Sequence, residues 1–134
     1  MPEITELERG EYIQGWLALM QNQGLLINAD TTVLYTLLFG YLLVAYFVGK
    51  SLTRAQSMIL TALYTVAFLI TLGGITLNGV ANLGMYAEMM SICPECEQNP
   101  MISIPVIILI VVVNLAMLTA SLYFIWSVRH PKTE

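Results

Sequence analysis

The chain has 134 residues, of which 57% are hydrophobic and only 10% are charged. Soluble domains carry about 25% charged residues, so this composition indicates a membrane protein rather than a soluble domain. Only five Lys and Arg residues stand against nine Asp and Glu residues, which excludes the basic surface that nucleic-acid binding requires.

The N-terminal segment predicts a short helix outside the bilayer. Thr5 and Glu8 have the spacing of a capping box, and Gly10 is expected to break the helix that this box would start. A separate amphipathic helix is predicted from Glu11 to Asn22, with Gly24 ending it, lying on the membrane surface. Packing of its apolar stripe on protein is the alternative. The stripe has helical spacing and consists of Tyr12, Ile13, Trp16, Leu17 and Met20.

Three long stretches without charged side chains predict membrane-spanning helices. The first runs from Thr32 to Val48, with Asp30 or Thr31 as the expected N-cap. The second, from Met58 to Leu77, follows a capping-box pattern at residues 53–56. The third runs from Ile104 to Val128, and Pro105 is tolerated in its first turn.

We therefore predict an all-α integral membrane protein with three transmembrane helices preceded by a short amphipathic interfacial helix. The predicted segments are an outer-face N-terminal segment (1–29), transmembrane helix 1 (30–49), a short cytoplasmic turn (50–56), transmembrane helix 2 (57–79), an outer-face loop (80–103), transmembrane helix 3 (104–128) and a cytoplasmic tail (129–134). A soluble catalytic domain is not expected, because the longest segment outside the spans is too short to bury a core.

Charges are sorted by sign between the spans, and this predicts orientation. Lys50, Arg54, Arg129 and Lys132 fall on one side, whereas the acidic residues, except the terminal Glu134, fall on the other. Because cytoplasmic loops are enriched in Lys and Arg, the basic side is predicted to be cytoplasmic. The N-terminus and the 80–103 loop would then be periplasmic, in a multi-pass protein of the cell (inner) membrane. Arg9 is an exception to the pattern.

The only compact motif is Cys93-Pro94-Glu95-Cys96. On an oxidising outer face, this spacing favours a structural disulfide between Cys93 and Cys96. Thiol exchange is less favoured because Glu95 and Glu97 oppose formation of a thiolate. An intersubunit metal site or two free thiols are the remaining alternatives. We expect no metal, since the chain has no second pair of nitrogen or sulfur ligands on that face. We expect no cofactor, since no His or Met has a spacing that suits haem ligation.

Small and amide residues in the spans mark candidate helix contacts. They are Ala45, Gly49, Gly73, Gly74, Asn114, Ala116 and Ala120. Asn114 lies near the middle of its span, where an interhelical hydrogen bond is favoured over a pore-lining or ligand-binding role. Seven further aromatic residues are interpreted as membrane-interface anchors rather than as the lining of a pigment or quinone site: Tyr35, Tyr41, Tyr46, Tyr64, Tyr86, Tyr123 and Trp126.

These features favour a non-catalytic accessory, assembly or scaffold subunit that acts by lateral helix packing. Its expected partners are the lipid bilayer and other membrane subunits, or copies of itself, with no nucleic acid and no soluble small-molecule substrate. A homo-oligomeric channel or pore is the first alternative, and it would place Asn114 or threonine side chains in water. An outer-face thiol-disulfide oxidoreductase that uses Cys93 and Cys96 is the second.

Overall fold

The computed structural model describes residues 6–94 and 103–129. These residues form three α-helices and no strand: α1 (Glu6–Val48), α2 (Arg54–Ile92) and α3 (Ile104–Arg129). Each helix is long and apolar enough to cross a membrane. At 1.5 Å per residue, even α3 reaches about 39 Å, compared with about 30 Å for the hydrocarbon core of a bilayer. The prediction of an all-helical chain with three apolar, membrane-length helices is confirmed.

The first helix is continuous, so the predicted break near Gly10 and the end near Gly24 are wrong. The short amphipathic helix is not a separate element, and Asp30 lies within α1 rather than at an N-cap. The helix continues through both glycines because one packing face runs along its length, with its residues spaced alternately four and three apart. Its buried and partly buried members are Ile13, Leu17, Met20, Gly24, Ile27, Thr31, Leu34, Leu38, Tyr41 and Ala45. Such a heptad seam outweighs the roughly 1 kcal/mol that a helical glycine costs relative to alanine.

The second helix begins as predicted and ends later than its predicted span. The side chain of Thr53 accepts a hydrogen bond from the Gln56 backbone, and the Gln56 side chain caps Thr53 in return, which confirms the capping box. Residues 80–92, expected to belong to a connecting loop, are the last turns of α2, and Cys93 is its C-cap. The buried face of α2 includes Tyr64, Phe68, Leu72, Ile75, Gly79 and Met89.

The third helix packs alongside only part of the α1–α2 pair. At one end of α3, Ile107 lies close to Gly79 of α2, and at the other end Val128 lies close to Gly49. Between these two levels the three helices share one core, which consists of Leu34, Leu38, Tyr41, Ala45, Tyr64, Phe68, Leu72, Ile75, Leu118 and Ile125. Because the helices contribute one face each, most of the remaining apolar surface points outward.

The α1–α2 pair extends well past α3. The distance from Ile107 to Val128 along α3 is about 32 Å, which matches one hydrocarbon thickness. We call the part of the bundle between these two levels the membrane band. Lys50, Arg54 and Arg129 lie at one end of this band, which we call the basic end. At the opposite, acidic end, Ile27 of α1 lies level with Ile107. Residues 6–26 and 80–92 lie beyond that level, and we call them the α1–α2 extension.

Candidate functional site

Four hydroxyl side chains join the three helices inside the apolar core. The Tyr41 hydroxyl of α1 lies 3.1 Å from Thr61 Oγ1 of α2. The Tyr64 hydroxyl of α2 lies 3.0 Å from Ser121 Oγ of α3. The Tyr41 and Tyr64 rings stack with their centroids 3.9 Å apart and their planes within 7°. We call Tyr41, Thr61, Tyr64 and Ser121 the tyrosine cluster.

The hydrogen bonds of this cluster satisfy polar groups that lipid cannot solvate. Ser121 Oγ donates to the carbonyl oxygen of Leu118 at 2.7 Å, so its hydroxyl proton is already used. Tyr64 is therefore the donor to Ser121 Oγ. An unpaired hydroxyl in an apolar environment costs several kcal/mol, which favours the helix arrangement that pairs both tyrosines. The cluster consequently orients α1, α2 and α3 relative to one another.

A double-mutant cycle should measure this link between α2 and α3. We expect Tyr64→Phe and Ser121→Ala each to lower the free energy of unfolding by about 0.5–1.5 kcal/mol, the range for hydrogen bonds between membrane helices. The double variant should lose less than the sum, because both changes remove the same bond. Denaturant titration in micelles gives these values, with exposed Thr119→Ala as the control. Strictly additive losses would show that the two side chains do not interact.

A second polar contact joins α1 and α2 near the acidic end. Asn78 Nδ2 donates to Asp30 Oδ2 at 3.3 Å. A Cβ atom on Gly74 would lie 3.1 Å from the same carboxylate oxygen, so the glycine leaves room for Asp30 to approach α2. The Tyr41–Thr61 contact lies near one end of the shared core and the Asp30–Asn78 contact near the other. Together they define the register in which α1 lies along α2. Asp30 was not a predicted contact residue, because the sequence favoured it as an N-cap at the start of a span.

Asn114 lies on the core face of α3 with only 6% of its surface exposed. Its Nδ2 atom donates to the carbonyl oxygen of Ile110 at 2.7 Å, one turn earlier in the same helix. Its Oδ1 atom is buried without a hydrogen-bond partner. The predicted interhelical hydrogen bond of this residue is therefore absent from the described part of the chain.

The other predicted packing residues divide into two groups. Ala45 is fully buried, Gly49 is buried near Val128, and Gly74 contacts Asp30. In contrast, Ala116 and Ala120 are exposed on the outward face of α3. A Cβ on Gly73 would meet no neighbouring atom within 4 Å. Contacts of these last three residues with another molecule remain a prediction.

The predicted membrane-interface residues also differ in burial. Ile13, Trp16, Leu17 and Met20 are partly buried on or beside the face of α1 that continues into the core, whereas Tyr12 is exposed. This burial favours the alternative in which the stripe packs on protein. Trp126 is exposed near the basic end, 5.9 Å from the Tyr123 ring between ring centroids.

The interpretation of tyrosines as interface anchors is wrong for Tyr41 and Tyr64, which are buried in the core. Sequence reasoning missed their pairing with Thr61 and Ser121. Their heptad spacing to the other core residues of α1 and α2 is the signal that could have found them.

Cys93 is buried at the end of α2, with its backbone N–H bonded to the carbonyl oxygen of Met89 at 2.9 Å. Its predicted partner, Cys96, lies outside the described residues, so the disulfide remains a prediction. Within residues 6–94 and 103–129, no three His, Cys, Asp or Glu side chains are grouped so that they could hold a metal ion.

Comparison of the chain with protein-family models, curated proteins and solved structures finds no match. The candidate site is a set of helix contacts, formed by the tyrosine cluster at one level and by Asp30, Asn78 and Gly74 at another.

Proposed function

We propose that the protein is a non-catalytic accessory, assembly or scaffold subunit of the inner membrane that binds other membrane proteins by lateral helix packing. The N-terminus lies in the periplasm and the C-terminus in the cytoplasm, because positive charge marks the cytoplasmic side. The acidic end of the bundle then faces outward, and the α1–α2 extension stands in the periplasm.

The observation that carries this proposal is apolar surface on the α1–α2 extension. Tyr12 is 58% exposed and Leu19 is 50% exposed. Leu19 lies about 12 Å beyond Ile27, and Tyr12 about 22 Å beyond it, counted along the helix axis. The headgroup region adds only about 5–8 Å to each side of the hydrocarbon core, so both side chains reach past the lipid. Exposed apolar surface in water is typical of a protein-binding surface.

Burial of the polar groups also supports an assembly role. The hydroxyl groups of the tyrosine cluster are paired within one chain, so this cluster supports a role in holding the three helices together. Asn114, which a pore would place in water, is buried in the core of the same chain, so it gives the channel alternative no support. Burial of Cys93 likewise gives no support to thiol exchange, which needs an accessible sulfur.

Native mass spectrometry of the protein extracted gently from its own membranes tests the proposal. We expect a complex that contains the 14.9 kDa chain together with at least one different membrane protein. A variant with Tyr12→Ser and Leu19→Ser should lower the recovery of that partner, because both changes remove apolar contact area. The control is Ile70→Ser, which changes an apolar residue that is even more exposed (70%) but lies inside the membrane band. Integer multiples of the chain mass alone would contradict the accessory role and favour the channel.

A further inference from the structure

One stripe of α1 is exposed along the whole helix. It consists of Tyr12, Leu19, Leu26, Val33, Gly40 and Phe47, which are spaced seven residues apart. All six face away from the seam that packs on α2, and a Cβ on Gly40 would meet nothing within 4 Å. Positions at a spacing of seven stay on one side of helices that pack in a left-handed supercoil. We call this set the outer stripe.

The outer stripe passes from the membrane band into the α1–α2 extension without becoming polar. Inside the membrane, Val33 and Phe47 can face lipid. Beyond the membrane, Tyr12 and Leu19 would face water instead of lipid. Together with Glu8, Glu11, Gly15 and Trp16 they line a shallow groove. A helix that packs along the whole stripe would cover both parts at once.

Charge distinguishes the candidates for that helix. Glu6, Glu8 and Glu11 occupy the first turns of α1 and are exposed. The nearby cation Arg9 is directed to the other helix, where Nη2 lies 3.4 Å from the carbonyl oxygen of Ile92. A second copy packed in parallel on the outer stripe would bring its own Glu11 next to this one, and like charges across an interface are unfavourable. A basic partner is attracted instead.

We propose that the outer stripe binds one long helix of a different membrane protein, and that this helix continues past the bilayer and carries Lys or Arg opposite Glu11. The inference rests on the proposed accessory function and specifies the chemistry of the partner. Glu11 lies about 24 Å beyond Ile27 along the helix axis, so the basic residues lie at a similar distance beyond the end of the partner's apolar span. Apolar residues at heptad spacing fill the stripe below them.

Photo-crosslinking in native membranes tests the inference. The full-length protein carries a photoreactive amino acid in place of Leu19, or in place of exposed Ala87 on α2 as the control. The expected adduct at Leu19 joins a different membrane protein, through a peptide that contains Lys or Arg and adjoins an apolar span. Control adducts at Ala87 should be weak.

Charge reversal makes the test specific. Glu11→Lys should lower the adduct yield at Leu19 about threefold to tenfold, because it replaces attraction by repulsion. Glu11→Gln should lower the yield less. Glu88→Lys, the same charge change on an exposed residue of α2, should leave the yield unchanged. Equal effects of the two reversals, an adduct between two copies of this chain, or an adduct in an acidic peptide would overturn the inference.

A third probe position separates this inference from the proposed function. Val33 lies on the same stripe within the membrane band. A different membrane protein crosslinked at Val33 but not at Leu19 would leave the accessory function intact and refute the basic helix on the extension. Absence of a different protein at both positions would refute both.

Discussion

Replacement of Phe68 by alanine is expected to lower the free energy of unfolding of the three-helix bundle by about 2–4 kcal/mol. The Phe68 side chain is fully buried in the core, and its ring centroid lies 5.7 Å from that of Tyr64 in the tyrosine cluster. Between membrane helices, association depends on close packing rather than on removal of apolar surface from water. A cavity at this position therefore removes contacts that nothing else supplies.

Phe39→Ala is the matched control for this prediction. Phe39 is also an apolar aromatic residue within the membrane band, but its side chain is 64% exposed on α1. We expect a change within about 0.5 kcal/mol, as is usual for exposed positions. Denaturant titration in micelles, monitored through tyrosine and tryptophan fluorescence, gives both values. Equal losses for the two variants would mean that Phe68 does not fill the core in solution.

Replacement of Gly49 by alanine is expected to destabilise the connection between α1 and α2 by about 1–3 kcal/mol. The Gly49 N–H donates to the carbonyl oxygen of Ala45 at 3.1 Å. An added Cβ would overlap that carbonyl oxygen and would lie 3.4 Å from Val128 Cγ1. Because the overlapping atom belongs to the backbone, no side-chain rotation can relieve the clash, and the turn itself must move.

Gly10→Ala gives the opposite expectation and serves as the control. A Cβ at Gly10 would meet no neighbouring atom within 4 Å, and the residue lies within α1. Alanine is favoured over glycine in a helix by up to about 1 kcal/mol, so this variant should be neutral or more stable. Thermal unfolding of both variants in the same micelles makes the comparison. A stability of Gly49→Ala equal to that of the natural protein would contradict the close approach at the turn.

Local signals were sufficient to predict several helix boundaries. The end of α1 at Val48, the capping box at Thr53 and the beginning of α3 at Ile104 agree with the sequence-based expectation. Each depends on residues that are neighbours in the chain: a glycine after an apolar run, a threonine followed by a glutamine, or a proline in a first turn. Such features can be recognised without knowledge of which helices pack together.

Local signals failed where packing against another helix outweighed the local tendency of glycine to end a helix. Gly10 and Gly24 were expected to interrupt the N-terminal helix, yet α1 passes through both. Ile13, Leu17 and Met20 precede Leu34, Leu38 and Tyr41 by 21 residues each, which is three heptads. This whole number of heptads between the two sets was present in the sequence, and it would have indicated one continuous helix with one packing face.

The sequence by itself determined that this chain is helical, that three of its segments suit a lipid environment, and that its charges divide by sign. These properties follow from contiguous composition, because a helix satisfies its own backbone hydrogen bonds and apolar side chains select lipid. Only the tertiary structure decided which tyrosines are buried, that Asp30 contacts Asn78, and that α1 and α2 extend past α3. The Tyr64–Ser121 pair joins residues 57 positions apart. Such a pair depends on how three helices rotate and slide against one another, which no single segment encodes.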